Sequence, residues 1–253
     1  MMENMDKQQN LDRIHIVLVG TQDGANIGSV CRAMKTMGLT HLVMVTERKY
    51  AENRVKALAI HASDLYDERE TYTSLKDALH DSVFSVAATR RRGKFRKATC
   101  MTPEQLATKI NTMGDGKISI VFGRESDGLT DEEVACCSSV VTIPSSDKFP
   151  SLNLSQAVQV ITYTLFSNII GSTVGIVPVT EERVGESAKK IASMMEAIHC
   201  FKLPEEEGWT AQFIHDTFSR AQLSEIELQK MEKMFTKMCV IARYKGGNQE
   251  ETK

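Results

Sequence analysis

The stretch GTQDGANIGSVCRAMKTMG, residues 20–38, decides how the chain begins to fold. A mostly apolar run, IHIVLV at 14–19, precedes it and is typical of a buried strand. The glycines after that run predict a turn, and the helical spacing of Ile27, Val30 and Met34 predicts a helix over 27–37. The chain therefore opens with a strand, a turn and a helix, an arrangement that often binds phosphate groups.

Two common phosphate-binding motifs are excluded by the residues at this turn. A P-loop needs a lysine directly after its last glycine, but Ser29 follows Gly28 here. The three glycines of the turn are spaced four residues apart, which does not fit the G-x-G-x-x-G pattern of dinucleotide-binding folds. Glycines that only allow the chain to turn would explain the spacing, but they leave Asn26 and Arg32 without a role.

The first two thirds of the chain alternate short apolar runs with helical patterns. Strands that alternate with helices predict βαβ units and a mainly parallel sheet in an α/β fold. Residues 130–133, with the pattern S/T-x-x-E, are typical of a helix that begins with a capping box. The predicted strands are 14–19, 41–46, 82–88, 118–122 and 140–143, and the predicted helices are 27–37, 52–65, 74–80, 103–113, 131–136 and 154–170.

The strand pattern stops after residue 171. Residues 172–180 are typical of a linker, and the segments 181–201, 210–220 and 224–244 repeat apolar residues at helical spacing. We therefore predict an α/β domain over 1–171, a linker over 172–180 and a small all-α domain over 181–253.

Composition indicates an ordinary globular protein. With 31 basic and 33 acidic residues the net charge is −2, so any attraction to nucleic acid must come from a local cluster. The first ten residues lack the apolar core of a signal peptide, and no apolar run is long enough to span a membrane. The six cysteines form no C-x-x-C pair and are typical of reduced thiols. We expect a cytoplasmic protein without a metal.

The pattern Asn26-x-Gly28-x-x-x-Arg32 resembles the first motif of the SPOUT superfamily of RNA methyltransferases, in its SpoU branch of ribose 2′-O-methyltransferases. Two further stretches resemble the second and third motifs of that branch, in the expected order: IVFGRESDGLT at 120–130 and IPSSDKFPSLNLSQA at 143–157. Within the branch, the sequences at 33–42 and 151–160 are similar to the TrmJ type, which methylates nucleotide 32 in the tRNA anticodon loop.

This resemblance implies a fold and a methyl donor. The fold would be a parallel α/β sheet with a C-terminal trefoil knot, followed by the helical extension. S-adenosylmethionine would lie in the crevice of the knot. By motif, the donor-binding residues would be Ala88, Thr89, Gly123, Ile143, Ser151 and Leu152. A glycine at 123 would let the backbone approach the donor closely.

The resemblance also implies a catalytic set. Arg32 would activate the ribose 2′-hydroxyl, and Asn26, Glu125, Ser151 and Asn153 would support it. An arginine pKa above about 12 argues against a general base, so we interpret Arg32 as a clamp that stabilises developing negative charge. Two structural roles stay open: Glu125 could be the ion-pair partner of Arg124 or Arg32, and Asn153 could only cap the helix after it.

A basic cluster at 90–97 is the densest concentration of positive charge in the chain. It follows the predicted strand 82–88 and so would lie on a loop beside the donor crevice. A charge cluster can be only a solvated surface, but this position favours contact with RNA phosphates. The predicted RNA-binding residues are Arg90, Arg91, Arg92, Lys94, Arg96 and Lys97.

The resemblance implies a tRNA substrate and a homodimer, in which each site combines a knot from one protomer with an arginine from the other. Two alternatives remain open at this point. The substrate could be another RNA, either ribosomal RNA or the wobble nucleotide of tRNA. The chain could also be a non-catalytic knotted protein that only binds RNA.

Overall fold

The apolar runs of the sequence form one parallel sheet in a computed structural model that describes residues 2–90, 100–170 and 177–250. The chain divides into two compact units, Met1–Val177 and Pro178–Lys253, so the division lies inside the segment predicted as a linker. In chain order the described part of the first unit contains α1 (Met2–Asp12), β1 (Ile14–Val19), α2 (Gly24–Thr36), β2 (His41–Val45), α3 (Glu52–Ala59), a 3-10 turn (Ile60–Ala62), α4 (Ser63–Asp67), β3 (Glu70–Tyr72), α5 (Leu75–Leu79), β4 (Ser82–Ala88), β5 (Cys100–Met101), α6 (Pro103–Asn111), β6 (Lys117–Phe122), α7 (Asp131–Ala135), β7 (Ser139–Val141) and α8 (Leu154–Asn168).

The strand order in the sheet is β3-β2-β1-β6-β4-β7-β5, and every neighbouring pair is parallel. This confirms the predicted α/β class with a parallel sheet. The order places β1, β6, β4 and β7 side by side, although they are far apart in sequence. Their carboxyl ends therefore meet at one edge of the sheet, and the loops that leave them become neighbours.

Both faces of the sheet are covered, because successive side chains of a strand point to opposite faces. Ile14, Ile16 and Leu18 of β1 belong to one buried cluster, which α2, α6 and α8 complete. Val17 and Val19 belong to the opposite cluster, with apolar residues of α5. The apolar stripe of α2 that the sequence predicted is buried in the first of these clusters.

Several element bounds differ from the predictions for local reasons. Helix α2 begins three residues early, because the Asp23 side chain accepts a hydrogen bond from the Ala25 backbone and caps it. The predicted helix over 52–65 is broken at Ile60, whose φ of +53° ends α3. Strands β3 and β5 were not predicted, since three and two residues are too short to show a period.

The second unit contains α9 (Glu181–Glu196), α10 (Glu205–Ala221) and α11 (Glu225–Glu250) among its described residues. A small apolar core of its own holds it together, built from Val184, Ile191, Phe218 and Leu228. Helix α10 begins five residues before its predicted start, directly after Pro204, and three glutamates fill its first turn. Acidic residues there stabilise a helix by interacting with its dipole.

Candidate active site

A cleft of about 260 Å³ lies at the carboxyl edge of the sheet. It is lined by the ends of β4, β6 and β7 and by the residues that follow them. All six residues predicted to bind the methyl donor are among its lining residues: Ala88, Thr89, Gly123, Ile143, Ser151 and Leu152. Residues from three distant parts of the sequence are thus brought to one place by the strand order.

The cleft has apolar walls and a polar rim. Phe122, Val141 and Leu154 line it from the buried side, and all three belong to the core of the first unit. Thr89 is held against the end of β7, because its N–H donates to the Val141 carbonyl (3.1 Å) and its carbonyl accepts from Thr142 Oγ1 (2.6 Å). The wall formed by β4 is therefore fixed before any ligand binds.

Glu125 joins the second motif to the first. Its carboxylate accepts hydrogen bonds from the backbone N–H groups of Gln22 (2.8 Å) and Asp23 (3.3 Å), just before α2. It also accepts from Asn26 Nδ2 at 2.8 Å. The predicted alternative that Glu125 is the ion-pair partner of Arg124 or Arg32 is therefore wrong: two backbone N–H groups of the loop after β1 and the Asn26 side chain of α2 donate to it instead.

Asn153 joins the third motif to the same network. Its Nδ2 donates to Asn26 Oδ1 at 3.1 Å, while its Oδ1 accepts from the Ser155 N–H at 2.9 Å and caps α8. Asn153 therefore caps α8 and also contacts Asn26, while its support of catalysis stays a prediction. A chain of hydrogen bonds, Glu125 to Asn26 to Asn153, runs beside the cleft and links all three motifs.

Comparisons with known proteins agree with this geometry. Residues 13–163, more than half of the chain, match the SpoU rRNA Methylase family. The chain belongs to this family. It is 38% identical over 156 residues to the tRNA (cytidine-2′-O-)-methyltransferase TrmJ of Methanocaldococcus jannaschii, an alignment that covers 61% of this chain and 67% of that protein.

Two further relatives complete the comparison. The tRNA (cytidine/uridine/adenosine-2′-O-)-methyltransferase TrmJ of Pseudomonas aeruginosa is 40% identical over 155 residues, which cover 60% of each protein. The crystal structure of TrmJ from Z. mobilis superposes with a TM-score of 0.73 at 25% identity, over 88% of this chain and 98% of that one. The chain thus spans about two thirds or less of the length of the two curated relatives. The predicted membership of the SpoU branch is confirmed.

Arg32, the predicted clamp of this SpoU-family chain, lies apart from the cleft. It is exposed on α2, six residues after Asn26, and does not line the cleft. Its guanidinium forms no hydrogen bond or ion pair with any residue that the structure describes. Of the predicted catalytic set, Glu125 and Ser151 line the cleft of the same chain, and Arg32 does not.

Two glycines of the family motifs have structural reasons that differ from those predicted. A Cβ at position 123 would lie 2.2–2.4 Å from the backbone of Gly128 and Leu129. Gly123 is therefore required by the tight turn that follows β6, and the close approach of the donor to its backbone stays a prediction. Gly28 lies inside α2 rather than in a turn, and a Cβ there would lie 2.2 Å from the Val55 carbonyl oxygen of α3.

Arg124 of the second motif forms an ion pair with Glu133 of α7. Its two terminal nitrogens each lie 2.9 Å from a carboxylate oxygen of Glu133, a bidentate geometry that also raises the pKa of Arg124. The side chain passes over Gly20, where a Cβ would lie 2.8 Å from its Nε. Gly20 also has a φ of +61°, which favours glycine. The turn after β1 thus depends on Gly20 for its conformation and for its packing.

The loop between β2 and α3 clamps the first motif, and sequence reasoning missed it. Tyr50 donates its hydroxyl to the Thr21 carbonyl (2.5 Å), and Arg48 Nη1 donates to the Gln22 carbonyl (2.7 Å). Arg54 forms a bidentate pair with the N-cap residue Asp23, at 2.6 and 2.7 Å, which lowers the pKa of that carboxyl to about 2. Every residue has a backbone carbonyl, so the sequence does not show which carbonyls accept hydrogen bonds from Tyr50 and Arg48.

Of the predicted RNA-binding cluster, Arg90 is exposed and lines the cleft. Arg91, Arg92, Lys94, Arg96 and Lys97 lie outside the described residues. Within the described ranges, no group of three or more His, Cys, Asp or Glu is placed to hold a metal ion. None of the described helices combines the length and the apolar character that crossing a membrane requires.

Proposed function

We propose that this SpoU-family chain is an S-adenosylmethionine-dependent tRNA methyltransferase that modifies the ribose 2′-hydroxyl of nucleotide 32 in the anticodon loop. The observation that carries the proposal is the hydrogen-bonded chain from Glu125 through Asn26 to Asn153 beside the cleft. It connects the three motifs of the family in one place. The names of the relatives support transfer of a methyl group to tRNA ribose.

The cleft suits the methyl donor. Its apolar walls can contain the adenine ring, and the backbone of the loop from Ile143 to Leu152 offers donors and acceptors for the polar edges of an adenosine. Ala88, Thr89 and Gly123 close the opposite side. When bound, S-adenosylmethionine supplies an electrophilic methyl group on a sulfonium. The residues of this chain then have to position and polarise the attacking hydroxyl.

Arg32 would perform that second task. A ribose hydroxyl is a weak nucleophile at neutral pH, and negative charge develops on its oxygen as it attacks. An arginine guanidinium stays charged and can bind the adjacent phosphate while it stabilises this charge. The proton would go to that phosphate, to Ser151 or to water. In this proposal Arg32 and Ser151 contact the substrate, whereas Asn26, Glu125 and Asn153 are positioning residues.

A homodimer would bring Arg32 to a cleft. Arg32 is exposed and lies away from the cleft of its own chain, so a second protomer can supply it. Helix α8 offers a surface for such a partner, because Val160, Tyr163 and Phe166 recur at a spacing of three and stay exposed. We propose that this face of α8 lies in the dimer interface.

The proposal includes three further parts of the predicted account. The α/β domain at 1–171 would be catalytic and knotted; the position of β7 between β4 and β5, which are consecutive in the chain, is compatible with a knot. The helices at 181–253, after the linker at 172–180, would form a separate domain. The enzyme would act in the cytoplasm.

The test is methyl transfer to tRNA in vitro. Purified protein is incubated with labelled S-adenosylmethionine and unmodified tRNA transcript, which is then digested and analysed by mass spectrometry. The proposal predicts one 2′-O-methylated nucleoside, in the fragment that contains nucleotide 32. Transfer of the methyl group to ribosomal RNA or to the wobble nucleotide would mean that the substrate differs from the proposed one. RNA binding without transfer would make the chain a non-catalytic RNA-binding protein.

A further inference from the structure

Phe149 is the most exposed large apolar side chain among the described residues, with 80% of its surface accessible. It lies in the loop between β7 and α8, directly before Pro150, Ser151 and Leu152, which line the cleft. A single exposed apolar side chain is common on protein surfaces. This one differs by its position, because it stands at the rim of the cleft where the methyl donor is proposed to bind.

The loop that carries Phe149 is held in shape from within. Ser145 Oγ donates to the Pro150 carbonyl at 3.2 Å, and the Lys148 N–H donates to Ser146 Oγ at 3.3 Å. The proline after Phe149 restricts the backbone of Phe149 to extended conformations. The ring is thus presented to solvent by a closed turn, so that little conformational entropy would be lost if a ligand covered it.

Two cations near Phe149 can contact a polyanion, beside the acidic residues Asp147 and Asp127. Lys148 is the neighbour of Phe149 in the chain and is exposed, and Arg90 lines the same cleft from the end of β4. Cations can contact phosphates, while an aromatic ring offers a flat surface on which a nucleobase can stack. This combination is what single-stranded nucleic acid needs, because the bases of a loop are free to leave their neighbours.

We propose that Phe149 stacks on the base of the nucleotide whose ribose receives the methyl group. The inference rests on the proposed function and adds how the target nucleotide is recognised. Stacking does not depend on the hydrogen-bonding edge of a base, since every base has a π face. The ring would therefore hold the ribose near the donor cleft while it tolerates more than one base at the modified position.

Replacement of the ring tests this idea. Phe149→Ala should raise the KM for tRNA by about 10- to 100-fold, the range that loss of one aromatic stack produces. Phe149→Trp should have a KM for tRNA close to that of the wild type. The Kd for S-adenosylmethionine, measured by calorimetry, should stay unchanged in both variants. Leu58→Ala is the matched control, since Leu58 is exposed on α3 and does not line the cleft.

An abasic RNA makes the test specific for the base. The nucleotide that the wild-type protein methylates is replaced by one that keeps the ribose and lacks the base. The KM of the wild type for the abasic RNA should then be as high as the KM of Phe149→Ala for intact RNA. In Phe149→Ala, removal of the base should raise the KM almost no further. Fully additive losses would overturn the proposal, as would an unchanged KM in Phe149→Ala.

Two other outcomes would assign the ring elsewhere. A loss of donor affinity in Phe149→Ala would mean that the ring covers the methyl donor. A change of sedimentation coefficient would mean that it packs against a second copy of the chain. Failure of the proposed function is distinguishable from all of these, because the wild-type protein itself would then transfer no methyl group to RNA.

Discussion

The two edges of the same sheet use their polar residues differently. At the amino edge, side chains contact one another: the rings of His15 and His41 stack with centroids 4.4 Å apart, and Lys117 pairs with Asp81 at 3.0 Å. At the carboxyl edge, the hydrogen bonds of Glu125 fix the loops, and exposed side chains remain for a ligand. The amino edge should therefore contribute stability, and the carboxyl edge activity.

The largest effect is expected at Arg32. Arg32→Ala should lower methyl transfer by about 100- to 1,000-fold, which is typical for loss of a group that stabilises transition-state charge. The Kd for S-adenosylmethionine should stay the same, since Arg32 does not line the cleft. Calorimetry beside a methyl-transfer assay measures both. If donor affinity were lost in parallel with activity, the assignment of Arg32 to the RNA would be wrong.

A smaller loss is expected at Glu125. In Glu125→Gln an uncharged amide replaces the carboxylate that accepts these hydrogen bonds. A hydrogen bond to a charged group contributes about 1.5–3 kcal/mol. Activity should fall by about 10- to 100-fold, mainly in kcat, because Glu125 holds the start of α2, the helix that carries Asn26 and Arg32.

The partner of Glu125 provides the control. If Glu125 acts through Asn26, the double variant Glu125→Gln with Asn26→Ala should be little worse than Glu125→Gln alone. Additive losses, or a loss confined to the KM for tRNA, would show that the two residues act independently and that the hydrogen-bonded chain is not the basis of positioning.

The basic cluster at 90–97 should contribute to RNA binding. Replacing Arg91, Lys94 and Lys97 with glutamine should weaken tRNA binding about 10-fold and flatten its salt dependence by about one to three units of slope. Filter binding across a salt series measures this. A matched triple change to glutamine at Lys230, Lys233 and Lys237 of α11 is the comparison. An unchanged slope in the first variant and a flatter one in the second would place the RNA on the helical unit.

The stability that the amino edge contributes should depend on pH. Burial, followed by the nearby charges of Lys117 and His41, lowers the pKa of His15 to about 3, although Asp81 opposes the shift. In the unfolded chain His15 therefore binds a proton near pH 6.5, whereas in the folded chain it binds one only near pH 3. Since the unfolded state holds more protons in that window, stability falls as the pH falls.

Denaturation of His15→Gln measures this contribution. Between pH 7 and pH 5 the wild type should lose about 1–2 kcal/mol through His15, and the variant should lack that part of the slope. Methyl transfer at pH 7 should be unchanged. Leu58→Ala is the control, since Leu58 is exposed and carries no titratable group. A variant of His15 that lost activity while it kept the slope would contradict the division between the two edges.

Sequence predicted the parts of the fold that repeat a pattern. Strands β1 and β4 have their predicted bounds because most of their residues are apolar, and the capping box at Thr130 is present. The residues of the cleft were predicted from three motifs, but their meeting depends on a strand order that no single motif contains. The clamp of Tyr50 on Thr21 was not predictable, because its acceptor is a backbone carbonyl.

One measurement tests the central claim that the carboxyl edge transfers a methyl group to the ribose of nucleotide 32. Two tRNAs are prepared that differ in one atom, a ribose or a 2′-deoxyribose at that nucleotide, and each is incubated with the protein and labelled S-adenosylmethionine. The account predicts one methyl group per molecule in the first tRNA and none in the second. Equal incorporation into both would contradict it, because the acceptor would then be a base or another nucleotide.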